Sequence, residues 1–263
     1  MNSAGRLVMR GLSHRGRVRD ENEDRIATQP DRGLAILADG MGGHQAGEVA
    51  SRMAVDIIAG YFGDRPERAG GKHRAATASG QLVAIADAIQ MANSAIYQAA
   101  HTRPDYRGMG STVVVAMFDH NRLYLGHVGD SRLYRLRSGS LEQLTEDHSI
   151  VQELINRGLY TPQEARESLG KNLLTRALGV EPGVEADTAA VAVRRGDLYL
   201  LCSDGLTDVV GDAQIAEILQ AASGDVNTAA QRLVDRANAK GGPDNISVIL
   251  AAYYGRTEPA SRT

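Results

Sequence analysis

A single cysteine, Cys202, among 263 residues has no partner for an intramolecular disulfide and cannot build a Cys-rich zinc site. Its isolation fits a reducing compartment, and a cytoplasmic location is expected. Tryptophan is absent, phenylalanine occurs twice, and aromatics make up 4% of the chain, too few for a base-stacking platform. No sign of charge dominates: 29 Lys and Arg face 32 Asp and Glu, a net charge of −3 without the basic excess of a nucleic-acid binder. The longest clean apolar run, 113–118, is far too short to span a bilayer, so no membrane association is expected. Arg6 and Arg10 precede no apolar stretch with a small-residue cleavage site, so no secretory signal is expected either. The seven histidines show no metal-ligand spacing and no H-E-x-x-H, which argues against zinc; an EF-hand loop is also missing.

What remains is an ordinary globular composition, 43% hydrophobic and 23% charged, with 29 glycines. A chain of this length buries roughly 70–75% of its unfolded surface and needs no staples. One domain over 1–255 is expected, with a frayed polar tail over 256–263 and a polar surface loop over 63–74. Helical period runs without a break from Ala46 to Tyr61 (Ala46, Val49, Ala50, Met53, Ala54, Ile57, Ile58, Tyr61). It returns over 82–96, around Ile215 to Leu219, and over 230–237, where Gly241-Gly242-Pro243 stops it. Shorter helical pieces are expected at 150–157 and 173–178.

Strands are expected at 34–38, 113–118, 123–128, 133–136, 198–202 and 246–253, with a hairpin through Asp119-His120-Asn121. The last strand is apolar on both alternating faces, as a strand buried between two layers must be. Strands cluster in mid-chain and long helices lie at both ends. That pattern points to an α+β fold, antiparallel sheets covered by helices, and not to a βαβ alternation.

The acids fall at strand ends. Asp39-Gly40 follows the strand from Leu34, and Asp204-Gly205 follows the strand from Leu198. Asp244 precedes the strand from Ile246, and Asp24 precedes a short extended piece, 25–28. Because the end of one antiparallel strand lies beside the start of the next, these four can meet on one rim of one sheet system. Asp130 joins them from the bend Gly129-Asp130-Ser131. As a bare turn signal, Asp-Gly should be followed at once by a partner strand; Asp39 and Asp204 are followed by loops and helices instead. Two carboxylates about 4 Å apart repel by roughly 4 kcal/mol at an effective dielectric near 20. Converging acids therefore need protons or cations, and oxygen-only ligands select hard ions such as Mg²⁺ or Mn²⁺. The glycines after Asp39 make no phosphate loop, since G-x-G-x-x-G fails at Gln45; Gly40 is better placed to offer its carbonyl to a cation.

These residues resemble the metal-dependent serine/threonine protein phosphatases of type 2C, in the compact length of bacterial members. The resemblance spans about Gly11 to Tyr253 and rests on eight motifs in family order. They are Arg19-Asp-Glu-Asn-Glu-Asp24, Leu37-Ala-Asp-Gly-Met-Gly-Gly43, Gly110-Ser-Thr112, Val128-Gly-Asp-Ser-Arg132, Leu144-Thr-Glu-Asp-His148, Leu174-Thr-Arg-Ala-Leu-Gly179, Cys202-Ser-Asp-Gly-Leu206 and Gly242-Pro-Asp-Asn-Ile-Ser247. It implies a four-layer α-β-β-α sandwich, two stacked antiparallel sheets flanked by helices. It implies that Asp39 bridges two metals, with the Gly40 carbonyl on one and Asp204 and Asp244 on the other. Glu23 and Asp24 would bind metal directly or through water, and Asp130 with Asp204 would hold a third, weaker ion. Arg19 would grip the substrate phosphate with its fork.

The implied reaction is hydrolysis of phosphoserine or phosphothreonine on proteins by direct attack of a metal-bridging hydroxide, opposing a serine/threonine kinase. No nucleophilic side chain is needed, and Cys202 reads as core. A phosphoprotein-binding pseudophosphatase and a metal phosphodiesterase are the alternatives; the complete set of acids disfavours the first, the neutral charge and scarce aromatics the second. A monomer is expected. One departure stands out: some members carry a histidine thought to protonate the leaving group where this chain has Met41, and methionine cannot do so. His44 is a nearby substitute in sequence, and His148 reads as a structural hydrogen-bonder. The segment 150–171 falls where the family places a mobile, substrate-selecting flap.

Overall fold

The structure, a computed structural model, describes residues 6–42, 46–63, 77–161, 164 and 173–254. Two antiparallel sheets are stacked face to face. One has the order β1 (Leu7–His14), β11 (Ile246–Tyr253), β10 (Leu198–Cys202), β7 (Arg132–Arg137), β8 (Ser140–Gln143). The other has the order β2 (Asp24–Gln29), β3 (Leu34–Met41), β5 (Val113–Asp119), β6 (Arg122–Val128), β9 (Asp187–Ala192), and the two-residue β4 (Gly110–Ser111) pairs with the end of β3.

Side-chain alternation sorts each strand between two cores. Leu37, Val114, Leu201 and Ile249 point between the sheets. Ile36, Val113 and Val115 point outward under α1 (Ala46–Gly63) and α2 (Ala78–Thr102). Val248 and Leu250 point the other way, under α5 (Asp212–Ala221) and α6 (Val226–Ala239). The result is the expected α-β-β-α sandwich, and β11 is buried on both faces as its sequence requires. Helix α1 lays its small-residue row Ala46, Ala50, Ala54 and Ile58 against β3. Fully burying a side chain such as Ile58 contributes roughly 1.5–3 kcal/mol, and Ile58→Ala would cost about 2–5 kcal/mol through the cavity left behind. The caps are local: Asp225 accepts from the N–H groups of Asn227 and Thr228 at 3.0 and 3.3 Å, and α6 ends at Gly241 and Gly242, both at positive φ.

Three departures from the sequence reading matter. Strands β1, β8 and β9 are short, or carry mixed polarity, and do not stand out by period. The expected piece at 150–157 is helical, as α3 (Ile150–Asn156), whereas residues 173–178 are not. Their backbone is committed elsewhere: Ile150 N–H donates to Leu173 O at 2.9 Å, Thr175 N–H to His148 O at 2.9 Å, and Leu178 exchanges bonds with Ser111 at 2.8 and 3.1 Å. Tertiary partners for those groups outweigh the helical spacing of the leucines. Finally, the acids do not share one sheet. Asp24 and Asp39 lie on the six-stranded sheet, Asp204 and Asp244 flank strands of the five-stranded one, and Asp130 sits in the link between the two. Residues 64–74 of the expected loop, residues 162–163 and 165–171 of the flap, and the whole 256–263 tail lie outside the described residues.

Candidate active site

Strand pairing assembles the first half of the site. Asp24 and Asp39 are direct register partners across β2 and β3. The backbone of Asp39 is held on its other side by the Gly110-Ser-Thr112 segment. Asp39 N–H donates to Thr112 Oγ1 at 3.1 Å, while Thr112 N–H and Ser111 Oγ donate to Asp39 O at 2.8 and 2.9 Å. Gly40 is required by close approach: a Cβ there would lie 2.1 Å from Gly47 O at the start of α1 and 2.7 Å from Glu23 O.

The second half comes from β10 and β11. Asp204 opens the single helical turn α4 (Asp204–Thr207), and a Cβ on Gly205 would fall 1.9 Å from Asn245 O, so only glycine lets that turn meet the start of β11. Ser203 ties the halves together. Its Oγ donates to Asp24 Oδ2 at 2.9 Å and accepts from Ser247 N–H at 3.0 Å. Asn245 ties in the segment before β2: its Nδ2 donates to Arg15 O and Glu21 O at 3.0 and 2.8 Å, and its Oδ1 accepts from Glu23 N–H at 2.8 Å.

A cavity of about 490 Å³ opens where the halves meet. Arg19, Glu23, Asp39, Gly40, Asp130, Asp204 and Asp244 all line it; Asp24 alone of the sequence candidates lies beneath it, buried. Arg19 donates from Nη2 to Asp244 Oδ2 at 2.7 Å and has no other protein acceptor among the described residues. Met41 lines the cavity and offers no proton; His44 is outside the described residues.

The acids titrate as crowded, poorly compensated groups. Burial raises Asp39 well above the usual carboxylate range, and the charges of Asp24, Asp204 and Asp130 add to it. Asp204 is raised likewise by burial, then by Asp130, Asp208 and Asp244. Burial lifts Asp24 to about 6 against the opposing hydrogen bonds of Ser247 and Ser203. It lifts Asp130 to about 7, with Asp147 adding to the effect. Glu23 is raised by burial, and Arg19 lowers it only in part. Glu23 Oε1 and Asp24 Oδ1 are buried with no hydrogen-bond partner. Orphaned carboxylate oxygens around a cavity with an oxygen-only donor set are what a pair of hard divalent cations would satisfy, so the residues fit Mn²⁺ or Mg²⁺.

The family profile described as Protein phosphatase 2C matches residues 10–241. The chain belongs to the protein phosphatase 2C family. The serine/threonine protein phosphatase PstP of Mycobacterium tuberculosis is 43% identical over 261 residues, covering 96% of this chain and 47% of that protein, so this chain spans about half the length of that relative. The serine/threonine phosphatase stp of Listeria innocua is 39% identical, covering 90% of this chain and 92% of that one. The crystal structure of the M. tuberculosis phosphatase PstP/Ppp superposes with a TM-score of 0.82 at 42% identity, over 94% of this chain and 98% of that one. A second structure, the PstP catalytic domain in complex with two manganese ions, gives 0.81 at 42% identity over the same shares. The 2C fold is thus common to chains solved independently.

Several residues that shape this 2C-type site escaped the sequence reading. Asn245, Ser203 and Thr112 stand inside the quoted motifs but received no role, because their work is to bond backbone from distant segments. Arg176 lines the cavity and was hidden by the helical reading of 173–178. Its Nη1 donates to Asp187 Oδ1 at 2.7 Å. The histidines with no ligand spacing also meet in space. His127 and His148 stack at 4.5 Å beside Asp187, and burial lowers the pKa of both. Arg176 already supplies the cation there. His148 braces the Asp130 loop: its N–H donates to Gly129 O at 3.0 Å and its Nδ1 accepts from Gly129 N–H at 3.2 Å.

Proposed function

We propose that this protein is a Mn²⁺- or Mg²⁺-dependent phosphatase acting on phosphoserine and phosphothreonine of proteins, opposing a serine/threonine kinase within cytoplasmic signal transduction. On this reading residues 1–255 form one catalytic domain that works as a monomer. No helix among the described residues is long and apolar enough to cross a membrane, which is compatible with that setting. The observation that carries the reading is the meeting of five aspartates and a glutamate from both sheets, with buried orphan oxygens, beside an arginine with free donors.

Asp39, with the Gly40 carbonyl, and Asp204 with Asp244 would hold two ions. Glu23 and Asp24 support them from the β2 side, and Asp130 with Asp204 supplies a third, weaker place. Bound there, the ions supply Lewis acidity and a water acidic enough to serve as nucleophile near neutral pH. The chain's own part is positioning. Thr112, Ser111 and Ser203 lock the acids that would otherwise repel apart. Arg19 spends one N–H on Asp244, which fixes the guanidinium at the rim. Its remaining N–H groups can then take the phosphate oxygens and stabilise charge as the ester bond breaks. Met41 leaves the leaving-group proton to another donor.

The test is hydrolysis of a phosphothreonine peptide with Mn²⁺. Activity is expected with metal, and none in excess chelator or in Asp39→Asn. Full activity in chelator, or untouched phosphopeptide after long incubation with Mn²⁺, overturns the reading.

A further inference from the structure

The catalytic cavity opens sideways into a larger one of about 1220 Å³, and Arg19, Glu23, Gly42 and Asn245 line both. One wall is the segment 18–21, the other the turn Pro104–Tyr106 with Arg107 beyond it. Both walls are fixed at the backbone. Asn245 Nδ2 holds Glu21 O at 2.8 Å and Arg15 Nη1 holds Asp20 O at 3.3 Å. Tyr106 packs on the core under α1 and α2, with the Arg103 guanidinium 5.3 Å from its ring centre.

The side chains on those walls are a different matter. Asp20, Glu21 and Asp105 are exposed, and none has an ion pair or side-chain hydrogen bond among the described residues. Arg19 is neutralised by Asp244, so among the described residues lining the groove three carboxylates without an ion pair face one such cation, Arg107. Val18, 68% exposed, adds one apolar spot.

We propose that this groove receives the residues flanking the phosphorylated serine or threonine, and that Asp20, Glu21 and Asp105 select substrates with Lys or Arg at those flanks. The proposal rests on the phosphatase reading for what occupies the inner cavity. A phosphoprotein side chain reaching the acids must leave its own backbone in a cavity continuous with theirs, and among the described residues this groove shares Arg19, Glu23, Gly42 and Asn245 with the inner cavity. Rigid walls carrying unpaired carboxylates select by charge without rearranging.

The test compares two phosphothreonine peptides, one with arginines on both sides and one with alanines there, on the wild-type chain and on Asp20→Asn/Glu21→Gln/Asp105→Asn. The wild type should favour the basic peptide in kcat/KM by about tenfold, mainly through KM. The preference should shrink in about 0.5 M NaCl. The triple variant should treat the peptides alike while hydrolysing p-nitrophenyl phosphate as the wild type does. Equal use of both peptides by the wild type, a preference that survives the triple variant, or loss of p-nitrophenyl phosphate hydrolysis in it would each overturn the proposal. Failure of the phosphatase reading is separately visible as no p-nitrophenyl phosphate hydrolysis by the wild type with Mn²⁺. In that case fluorescence anisotropy of the same labelled peptides decides: tighter wild-type binding of the basic one, lost in the triple variant, supports the groove, and equal binding overturns it.

Discussion

Strand β10 carries an aspartate at each end, and the two live in opposite worlds. Asp197, just before the strand, is buried, yet it accepts from Arg137 Nε and Nη2 at 2.7 and 2.6 Å, from Arg194 N–H at 2.7 Å and from Tyr199 OH at 3.0 Å. Burial alone would raise it; Arg137, the Arg194 amide and Tyr199 outweigh burial and hold it below the usual range. Asp204, just after the strand, meets burial and four more carboxylates, and is raised well above that range. Seven positions apart, at the two ends of one strand, the first is a finished structural contact and the second is unfinished. Unfinished carboxylates are where a cation belongs.

The largest break in this contrast is Asp204→Asn. Losing a ligand of the proposed ions should cut Mn²⁺-dependent turnover by about 10³-fold or more, several kcal/mol of transition-state stabilisation. The same variant should make the metal-free protein more stable, by about 1–2 kcal/mol at pH 8, because it deletes a buried, repelled charge. Asp197→Asn should do the reverse: turnover per folded molecule unchanged, but stability lower by about 2–4 kcal/mol, since Arg137 loses its partner. Thermal melts and assays of both variants, with and without Mn²⁺, check this pair, and equal effects would erase the contrast.

pH sharpens it. Asp24 at about 6 and Asp130 at about 7 sit above their unfolded values near 4. Their raised values favour the fold at low pH, and that contribution is lost as pH rises towards 7. The metal-free melting temperature should therefore fall between pH 5 and pH 8, and Mn²⁺ should abolish the fall. Asp197, held low, contributes above pH 4 and is lost on acidification, so Asp197→Asn should flatten the acid limb alone. The smallest effect expected is Arg19→Lys, which keeps the charge but not the fork; kcat/KM should drop about 10- to 100-fold with little change in stability, because the Arg19–Asp244 pair is half-exposed.

Much of this was legible in the chain. The period of 46–61 and the two-faced run 246–253 announce a helix and a doubly buried strand because burial dictates residue type position by position. Asp39 and Asp204 could be singled out because each follows an apolar strand without a hairpin to explain it, and Asp244 because it precedes one. Strands β1, β8 and β9 were not legible, since their identity depends on partners far away in sequence. Arg176 was misread because the leucines around it have helical spacing, while the backbone of its neighbours Thr175 and Leu178 bonds to His148 and Ser111.

By itself, then, the order of residues determined which segments are helix or strand and which acids stand at strand ends, since both follow from local period and from what can be buried. Only the stacking of two sheets decided that those acids face one another, that Asp197 is satisfied and Asp204 is not, and that a groove of free carboxylates leads away from them. Charge compensation depends on distance in space, and residues 24, 39, 130, 204 and 244 become neighbours only when the sandwich closes.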